Sequence, residues 1–309
     1  MTAAAPALLA VDWGTSALRG ALLAADGTLL AEHAAPRGLL QVPSGGWAQV
    51  FDDEFGPWLA AHPGLLCLMS GMVGSRQGWA EAAYCPCPAS LAQLAEHLLW
   101  LRPGRLAIVP GLSRESDGQP DVMRGEETQV FGALRQLGLQ DASLVLPGTH
   151  SKWVQVAGGR VSGFSTHMTG ECFALLRQQS ILARTLPADE VAPWRPEAFD
   201  EGVARAQQPG GLLHHLFSVR SLALFERRDG PALLSYLSGL VIGEELRAQA
   251  PAPGQAVVVV GSEALTLRYR RALAQRGVAL QSVGAEAAWR GLAALAGCLP
   301  ARATGTLGA

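Results

Sequence analysis

The stretch LLAVDWGTSALRGALLAADGTLLAEH, residues 8–33, decides the fold, because residues 143–167 repeat its pattern as SLVLPGTHSKWVQVAGGRVSGFSTH. Each copy predicts an apolar strand, a Gly-Thr loop, a second strand, a glycine turn and a third strand. The Gly-Thr loops expose backbone N–H groups and hydroxyls in a concave turn, where phosphate oxygens bind well. The repeat therefore predicts two three-stranded meanders, here called the first and the second meander, each with a candidate phosphate loop.

The two meanders differ two positions before the Gly-Thr pair, where the first has Asp12 and the second has Leu146. A carboxylate suits Mg²⁺, which prefers one or two carboxylates together with waters and substrate phosphates. The difference indicates that only the first loop could hold a metal ion. The alternative interpretation is that both are ordinary hairpins, in which Asp12 caps a turn and Gly14 supplies a positive φ.

Composition restricts the classes of function. A chain of 309 residues with 49% hydrophobic residues is long enough for about two domains with substantial cores. A net charge of -2 without a basic run gives no reason to expect nucleic acid or an anionic membrane as a partner. No apolar run of ~18 residues predicts a transmembrane helix, and the first residues lack the basic region of a signal peptide. The odd number of cysteines, 5, does not describe a disulfide framework, so we expect a cytoplasmic protein.

The remaining chain predicts alternating helices and buried strands, and therefore an α/β fold with a mixed sheet in each half. Helices are expected near residues 52–61, 90–99, 171–184, 212–225 and 232–247, and buried strands near 65–69, 105–109 and 257–260. A further helix should begin near Gly125. The polar, turn-rich stretch 111–121 is interpreted as the domain hinge. The expected domains are residues 1–118 and 119–300, followed by a loose tail at 301–309.

Six long or unusual segments carry a resemblance to a known family. They are DWGTS from Asp12, SGMVGSRQGW from Ser70, PDVMRGEETQVFGAL from Pro120, LPGTHSKW from Leu146, MTGECFALL from Met168 and YLSGLVIGEEL from Tyr236. Through them the chain resembles, over nearly its whole length, the 2-dehydro-3-deoxygalactonokinase family. That family is part of the superfamily that contains acetate and sugar kinases, Hsp70 and actin.

The resemblance implies a two-domain actin-like ATPase fold of the ribonuclease H-like type, with duplicated mixed-sheet domains and a nucleotide cleft between them. It also implies an ATP- and Mg²⁺-dependent sugar-acid kinase. Such an enzyme would phosphorylate the terminal (6-) hydroxyl of 2-dehydro-3-deoxy-D-galactonate in galactonate catabolism and release ADP. The sequence leaves the assembly open, with a homodimer as one option. It also leaves open the epimer preference and whether GTP can replace ATP.

The resemblance places the cofactor-binding residues on the two meanders and on one later loop. Asp12 would hold Mg²⁺, and Lys152 would add a positive charge unless it is a solvated strand residue. The other expected cofactor-binding residues are Gly14, Thr15 and Ser16 in the first loop, Gly148, Thr149, His150 and Ser151 in the second, and Gly261 and Ser262 in a loop that matches the adenosine-binding position.

The segment GEETQVFGAL from Gly125 resembles the part of related carbohydrate kinases in which an Asp opens a helix. That Asp falls by position on Glu126, which the resemblance therefore assigns as the catalytic base. Glutamate is one methylene longer, so the helix start would have to lie further back. A helix N-terminus stabilises a carboxylate. Glu127 is the alternative base, and both residues could instead only favour the helix dipole.

The substrate that the resemblance implies carries a carboxylate, which an arginine binds well through its planar guanidinium. Arg76 and Arg124 are the two candidates, although either could be a solvated or a structural arginine. The expected contacts to the substrate hydroxyls come from the loop after the strand at 65–69, and they are Ser70, Gly71, Ser75 and Gln77.

Two other functions stay open from the sequence. The same scaffold could phosphorylate the gluconate epimer or another small sugar acid, because one inverted hydroxyl changes only a few polar contacts. The fold would also permit a nucleotide-binding sensor or a chaperone-like module. The Glu126 segment and the arginine-bearing loop argue against a module without a small-molecule acceptor.

Overall fold

The structure, a computed structural model, describes residues 4–188 and 192–300. The predicted tail at 301–309 lies outside the described residues. Within the described part, the chain forms two compact units. The first unit comprises residues 4–141, 155–164 and 285–300, and the second comprises 142–154 and 165–284.

The strands and helices are numbered in chain order. The strands are β1 (Pro6–Trp13), β2 (Leu18–Ala24), β3 (Leu29–Ala35), β4 (Leu66–Gly71), β5 (Cys85–Pro86), β6 (Ala89–Ser90), β7 (Leu99–Arg102), β8 (Leu106–Ile108), β9 (Leu112–Ser116), β10 (Gln119–Met123), β11 (Ala142–Leu146), β12 (Ser151–Ala157), β13 (Arg160–His167), β14 (Ala256–Val260) and β15 (Ala279–Val283). The α-helices are α1 (Trp47–Ala61), α2 (Leu91–Glu96), α3 (Glu126–Leu137), α4 (Thr169–Gln179), α5 (Pro196–Ala206), α6 (Gly211–Leu224), α7 (Gly230–Gln249), α8 (Glu263–Ala274) and α9 (Ala287–Gly297). Short 3-10 turns lie at Leu39–Gln41, Met72–Gly74 and Ile181–Thr185.

The main sheet of the first unit has the strand order β3-β2-β1-β4-β8-β7. The predicted first meander is confirmed, since β1 pairs antiparallel with β2 and β2 pairs antiparallel with β3. β1 also pairs in parallel with β4, in a register that sets Asp12 opposite Ser70. Residues 8–11 are buried without alternation, as expected for a central strand that is covered on both faces.

The first unit also contains helices α1, α2, α3 and α9 and a three-stranded sheet of the order β10-β9-β5. α1 buries Trp47, Phe51 and Phe55 in one core with β1, β4 and β8, and their spacing is that of one helical face. α9 packs against β1 and against α3. A Cβ at Gly132 of α3 would overlap the carbonyl oxygen of Ala287, so glycine is required for this close helix approach.

Residues 119–141 pack in the first unit, whereas the sequence assigned them to the second domain. The physical reason is that β10 pairs with β9 and α3 packs on α9. Residues 111–121, which the sequence predicts to be the domain hinge, lie in the β9–β10 hairpin. Its turn contains Asp117 and Gly118, both with positive φ. The domain boundary at residue 118 follows the sequence repeat rather than this packing, and it stays a prediction.

The sheet of the second unit has the order β15-β14-β11-β12-β13, which is the order of β8-β4-β1-β2-β3 in the first unit. The second meander is therefore confirmed as a repeat of the first, and two sheets of this order make the predicted duplicated α/β fold of the actin-like, ribonuclease H-like type. The outer ends of β12 and β13, residues 155–164, belong to the first unit. There Arg160 and Val161 pair with β6.

Helices α4 to α8 surround the sheet of the second unit. One core joins Val145, Val257 and Val259 of the sheet to Phe199 of α5 and Tyr269 of α8. A second core joins α4, α5, α6 and α7. α5, which begins with a proline in its first turn, was not predicted from the sequence. Among the helices of the described residues, none combines the length and apolar character that are needed to cross a membrane.

Candidate active site

The carboxyl ends of β1 and β4 bring the first group of predicted residues together. Asp12 and Ser70 are neighbours across the parallel pair. Gly71 follows with a φ of +95, and a Cβ added there would lie 2.7 Å from the carbonyl oxygen of Trp13 and 3.4 Å from Oδ1 of Asp12. The predicted metal ligand and the predicted substrate loop are therefore in direct contact. Carboxyl ends of parallel strands are a usual place for ligand binding in α/β proteins.

The N-terminus of α3 lies next to Gly71. Gly125 has a φ of +107, and a Cβ added to it would lie 3.2 Å from Cα of Gly71. The hydroxyl oxygens of Ser70 and Thr128 are 3.2 Å apart, and Thr128 donates to the carbonyl of Gly125 at 2.8 Å. Asp12, Ser70, Gly71 and the start of α3 thus form one site, here called the first-unit site.

The two glutamates that open α3 have different environments. Glu126 is half-buried and accepts a hydrogen bond from the backbone N–H of Arg124 at 3.0 Å. Glu127 is 0% exposed. Its Oε2 accepts the N–H of Gly125 at 2.7 Å, and its buried Oε1 has no hydrogen-bond partner. Burial, with the charge of Glu126 as the second cause, raises the pKa of Glu127 to about 8. Glu126 is therefore the reachable carboxylate, and Glu127 is mainly protonated at neutral pH.

The first phosphate loop has exposed hydroxyls on an anchored backbone. Thr15 and Ser16 are exposed. The N–H of Gly14 donates to the carbonyl of Ala17 at 2.9 Å, and the carbonyl of Gly14 accepts the N–H of Leu39 at 3.0 Å. The loop can therefore offer hydroxyl groups to a ligand without losing its own turn.

Asp12 has a partner that the sequence analysis missed. Arg19 stands opposite Asp12 in the β1–β2 register and donates a hydrogen bond to its carboxylate. The same guanidinium lies 5.6 Å from the ring centroid of Trp289. The signal in the sequence was a lone charged residue in the apolar strand LRGALLA. Opposite charges across paired strands attract, and Arg19 would also place positive charge beside a bound phosphate.

A single carboxylate fits Mg²⁺, which commonly keeps several waters and binds through one or two carboxylates and substrate phosphates. In the described part of the chain, no group of three or more His, Cys, Asp or Glu side chains could hold a metal ion. An all-protein metal cage is therefore not the type of site that these residues could build. Asp12 fits the water-mediated type.

The two arginines predicted to bind the acceptor are placed differently. The Arg76 side chain is 87% exposed and forms a surface ion pair with Glu81 at 3.3 Å. The Arg124 guanidinium is enclosed, since it lies 4.4 Å from the ring centroid of Tyr84 and donates to the carbonyl of Ala82 at 2.8 Å. Its Nε and Nη1 are buried without a hydrogen-bond partner. Two nitrogens of the Arg124 guanidinium therefore lack hydrogen bonds, and burying unpaired donors costs folding free energy.

The other predicted residues of this loop also differ in exposure. Ser70 is buried and bonded to Thr128, as described above. Gln77 is exposed. The hydroxyl oxygen of Ser75 is buried and has no hydrogen-bond partner. Ser75 follows Gly74, where an added Cβ would lie 2.9 Å from Nη1 of Arg124. The unpaired hydroxyl and the unpaired guanidinium nitrogens therefore belong to the same part of the first unit.

In the second unit, the N-terminus of α4 packs on the second phosphate loop. Gly148, Thr149 and His150 are exposed. The N–H of Glu171 donates to the carbonyl of Thr149 at 3.0 Å, and the Glu171 carboxylate lies 2.5 Å from Nε2 of His150. A Cβ at Gly170 would overlap the carbonyl oxygen of Gly148. The loop is thus supported along its length by the first turn of α4.

Ser151 and Lys152, also predicted for the phosphates, are buried. The Ser151 hydroxyl donates to Oε1 of Glu245 at 2.9 Å, and Ser151 is 0% exposed. Lys152 is 5% exposed and donates from Nζ to the hydroxyl of Thr166 at 2.8 Å. The alternative that Lys152 is a solvated strand residue is therefore wrong. Neither side chain shares the exposure of residues 148–150.

A cavity in the second unit adjoins the second loop. Apolar and polar side chains both line it, and the lining residues are Pro147, Gly148, Thr169, Gly170, Phe173, Ser238, Val241, Ile242, Leu265, Arg268 and Tyr269. Burial lowers the pKa of Arg268, a residue that the sequence analysis did not single out. An apolar wall beside a helix N-terminus and a guanidinium suits a ligand that is partly apolar and partly anionic.

The predicted adenosine loop lies beside this cavity rather than in its wall. Gly261 contacts Pro147, with 3.6 Å between an added Cβ and the Cδ of the proline, and it lines a separate cavity with Thr266 and Arg270. Ser262 is the N-cap of α8, and its hydroxyl accepts the N–H of Leu265 at 3.5 Å. The structure therefore gives Ser262 a capping role.

Known proteins match this chain over nearly its whole length. The family model described as 2-keto-3-deoxy-galactonokinase matches residues 12–295. The chain is 37% identical over 293 residues to "Probable 2-dehydro-3-deoxygalactonokinase DgoK1" of Rhizobium meliloti. The aligned region covers 93% of this chain and 95% of the relative. It is 33% identical over 285 residues to the 2-dehydro-3-deoxygalactonokinase of Escherichia coli K12, covering 91% and 94%.

Solved structures give the same result for the fold. A crystal structure of a Sinorhizobium meliloti protein assigned as a 2-dehydro-3-deoxygalactonokinase has a TM-score of 0.85 at 37% identity, covering 94% of this chain and 98% of that one. The Clostridium difficile activator of 2-hydroxyisocaproyl-CoA dehydratase, solved with ADPNP, has a TM-score of 0.50 at 12% identity and covers 94% of both chains. The second likeness concerns the fold alone.

Two sheets of the same order, each with a Gly-Thr loop at the end of a central strand, show the actin-like ATPase fold. The relatives, which are named as kinases, show that the chain is a kinase. Within that class, the matches over nearly the whole length identify the family. The chain belongs to the 2-keto-3-deoxy-galactonokinase family.

Proposed function

We propose that this kinase transfers the terminal phosphoryl group of ATP to the 6-hydroxyl of 2-dehydro-3-deoxy-D-galactonate, giving the 6-phosphate and ADP in galactonate catabolism. The observation that carries the proposal is the first-unit site, where Asp12, Ser70, Gly71 and the start of α3 meet. The names of the relatives support the substrate. We further propose a cytoplasmic enzyme that acts on small molecules, with a homodimer as one option for its assembly.

Glu126 is the proposed catalytic base, and its role is to accept the proton of the attacking hydroxyl. It is half-buried rather than enclosed, and it lies in the first turn of α3, where the helix dipole favours the ionised form. Glu127 is the alternative. Its full burial and raised pKa make it a poorer base at neutral pH, because the proton is already bound.

Each unit, taken by itself, has residues that are proposed to bind parts of the nucleotide. In the first unit, Asp12 would hold Mg²⁺, while Thr15, Ser16 and the N–H groups of their loop would bind phosphate oxygens. Bound Mg²⁺ would neutralise charge on the phosphates. In the second unit, the N–H groups of residues 148–150 would bind phosphate, and the adjoining cavity, which Arg268 also lines, would take part of the nucleoside. Gly261, Ser262 and Lys152 would act beside these groups without lining the cavity.

The acceptor would be bound by the loop after β4. Arg76 is free to turn from its surface partner Glu81 towards a carboxylate, because exposed ion pairs are weak. Arg124 and Ser75 offer buried polar groups without partners. The backbone of Gly71 and the side chain of Gln77 would complete the contacts to hydroxyls. Ser70 would hold the start of α3 in place through Thr128.

The experiment that tests the function is a measurement of ADP release with ATP and Mg²⁺ against five acceptors: 2-dehydro-3-deoxygalactonate, its gluconate epimer, a plain hexose, glycerol and acetate. Fast turnover confined to the 2-keto-3-deoxy acids is the expected result, and the ratio of the first two gives the epimer preference. ATP binding without turnover on any acceptor would contradict the proposal and favour a nucleotide sensor.

The base is tested by Glu126→Gln, which keeps the shape of the side chain and removes its ability to accept a proton. Turnover should fall by about 10²-fold or more, which is the usual contribution of a general base. The affinity for ATP, measured by calorimetry, should change little. Glu127→Gln is the matched control one position away. A larger loss of turnover in Glu127→Gln than in Glu126→Gln would move the assignment to Glu127.

A further inference from the structure

Glu245 of α7 is a buried carboxylate that has no part in the proposed chemistry. It is 2% exposed. Its Oε1 accepts hydrogen bonds from the Ser151 hydroxyl at 2.9 Å and from the indole N–H of Trp153 at 2.7 Å. Its Oε2 accepts the hydroxyl of Thr169, and the Tyr269 hydroxyl lies 2.9 Å from both oxygens. Four side chains from three other elements, β12, α4 and α8, therefore converge on one carboxylate.

The donors lie next to the second phosphate loop. Ser151 is the first residue after the loop, and Thr169 is the first residue of α4. The next two residues of α4, Gly170 and Glu171, contact Gly148 and Thr149 of the loop. Thr169 and Tyr269 also line the adjoining cavity. Glu245 thus connects the end of the loop, the helix that supports the loop and the wall of the cavity.

Stability alone does not account for a carboxylate at this position. Removing a charge from water is costly, and the hydrogen bonds to Glu245 compensate that cost rather than adding a surplus. An apolar cluster that replaced Glu245 together with its four partners could be equally stable. Apolar contacts would not fix the orientation of the neighbouring elements, whereas each hydrogen bond to Glu245 fixes the angle and distance of one of them.

We propose that Glu245 is a positioning residue for the nucleotide. It acts through Ser151, Thr169 and Tyr269, which hold the second phosphate loop and the cavity wall in the geometry that ATP needs, and it does not touch the ligand itself. The proposal rests on the proposed function in one respect, which is that the loop and the cavity bind ATP.

The test compares Glu245→Gln with Glu244→Gln, the same change one position earlier on α7. Glu244 contacts none of the four donors, and its carboxylate is paired with Arg247 at 2.9 Å. In Glu245→Gln the amide NH₂ must face groups that need an acceptor, so at least one buried donor loses its partner. The dissociation constant of ATP without acceptor, and KM for ATP, should both rise by about tenfold. KM for the acceptor should stay within about twofold, and Glu244→Gln should leave all these constants unchanged.

A second variant covers the case in which Glu245→Gln does not fold. Tyr269→Phe removes one donor and keeps both the ring and the carboxylate, so it should raise the same two ATP constants by about fivefold without changing KM for the acceptor. A lowered melting temperature with an unchanged ATP dissociation constant, in either variant, would show a merely structural role and overturn the inference. Failure of the unmodified protein to bind ATP would instead overturn the proposed function together with this inference.

Discussion

The first and the second meander have the same strand order and the same loop, but their charged groups are placed differently. In the first, Asp12 and Arg19 form an ion pair within the meander itself. The positions that correspond in the second are Leu146, which is buried, and Trp153, which is also buried. The carboxylates next to the second loop come from outside the meander, since Glu171 lies on α4 and Glu245 lies on α7.

The difference predicts that the two copies of the meander serve different roles. We expect both loops to present N–H groups to a ligand, because that property depends on the turn and not on the side chains. The first meander has Asp12 and Arg19 beside its loop, where the proposed metal and phosphate chemistry would use them. The second has apolar residues at the same positions and is held from behind by a buried carboxylate. We therefore expect substitutions in the first meander to affect turnover and those in the second to affect nucleotide binding or stability.

The largest effect should come from Asp12→Asn, which changes the residue that most clearly distinguishes the first meander from the second. Loss of the carboxylate removes the proposed Mg²⁺ ligand and the partner of Arg19. Turnover should fall by ~10²-fold or more, since a metal ion stabilises transition-state charge by several kcal/mol. The change in the melting temperature should be small. Steady-state kinetics and thermal unfolding measure the two quantities.

Leu146→Asn is the matched control at the corresponding position of the second meander. It inserts an unpaired amide into a buried strand, which should cost about 1–3 kcal/mol of folding stability. Turnover at saturating substrate, measured on the folded fraction, should change much less than in Asp12→Asn. Equal losses of turnover in the two variants would show that the meanders do not differ in role.

A smaller effect, confined to the acceptor, should follow Arg76→Ala. A hydrogen bond to a charged group contributes ~1.5–3 kcal/mol, so KM for the acceptor should rise by about tenfold or more, while KM for ATP stays unchanged. The melting temperature should not move, because the ion pair with Glu81 is on the surface. Glu81→Gln removes the same ion pair and serves as the control. An unchanged acceptor KM in Arg76→Ala would exclude Arg76 from the site.

Arg124→Ala should differ from Arg76→Ala in a second measurement. The Arg124 guanidinium packs on Tyr84 and holds the carbonyl of Ala82. Its loss should therefore lower the melting temperature as well as raise KM for the acceptor. A stable Arg124→Ala variant with unchanged kinetics would contradict both of its roles.

The smallest effect should be on the pH dependence of the melting temperature, and it concerns Glu127. This buried glutamate has an oxygen without a hydrogen-bond partner, whereas the buried Glu245 accepts hydrogen bonds from several donors. The pKa of Glu127 is raised from 4.5 to about 8, so between these values the folded state binds a proton that the unfolded state lacks. The corresponding stability is fully present below pH 4.5 and is lost as the pH rises towards about 8. Glu127→Gln cannot ionise, so its melting temperature should fall less than that of the unmodified protein between about pH 5 and pH 8. If the melting temperatures of the two proteins depended on pH in the same way across this range, Glu127 would not be protonated in the folded state.

Most of the fold could be predicted, because its decisive signals are local. The strand-loop-strand repeat, the valine-rich strand β14 and the start of α3 after Gly125 depend on short stretches of sequence. The hairpin at residues 112–123 was missed because its polar strands do not show the apolar alternation of a half-buried strand. The site was predictable as a set of residue types in three segments, and the structure brings Asp12, Ser70, Gly71 and Gly125 together as the strand register requires.

By itself the sequence determined the duplicated topology, the asymmetry between Asp12 and Leu146, and the family, because each is a matter of residue identity and spacing. Only the tertiary structure decided which polar groups are enclosed. Glu126 and Glu127 are adjacent and identical in type, yet one is reachable and the other is not. Likewise, the Ser151 hydroxyl meets Glu245, a residue 94 positions away. Burial and its effects on charge depend on which distant elements pack together, and no short stretch of sequence contains that information.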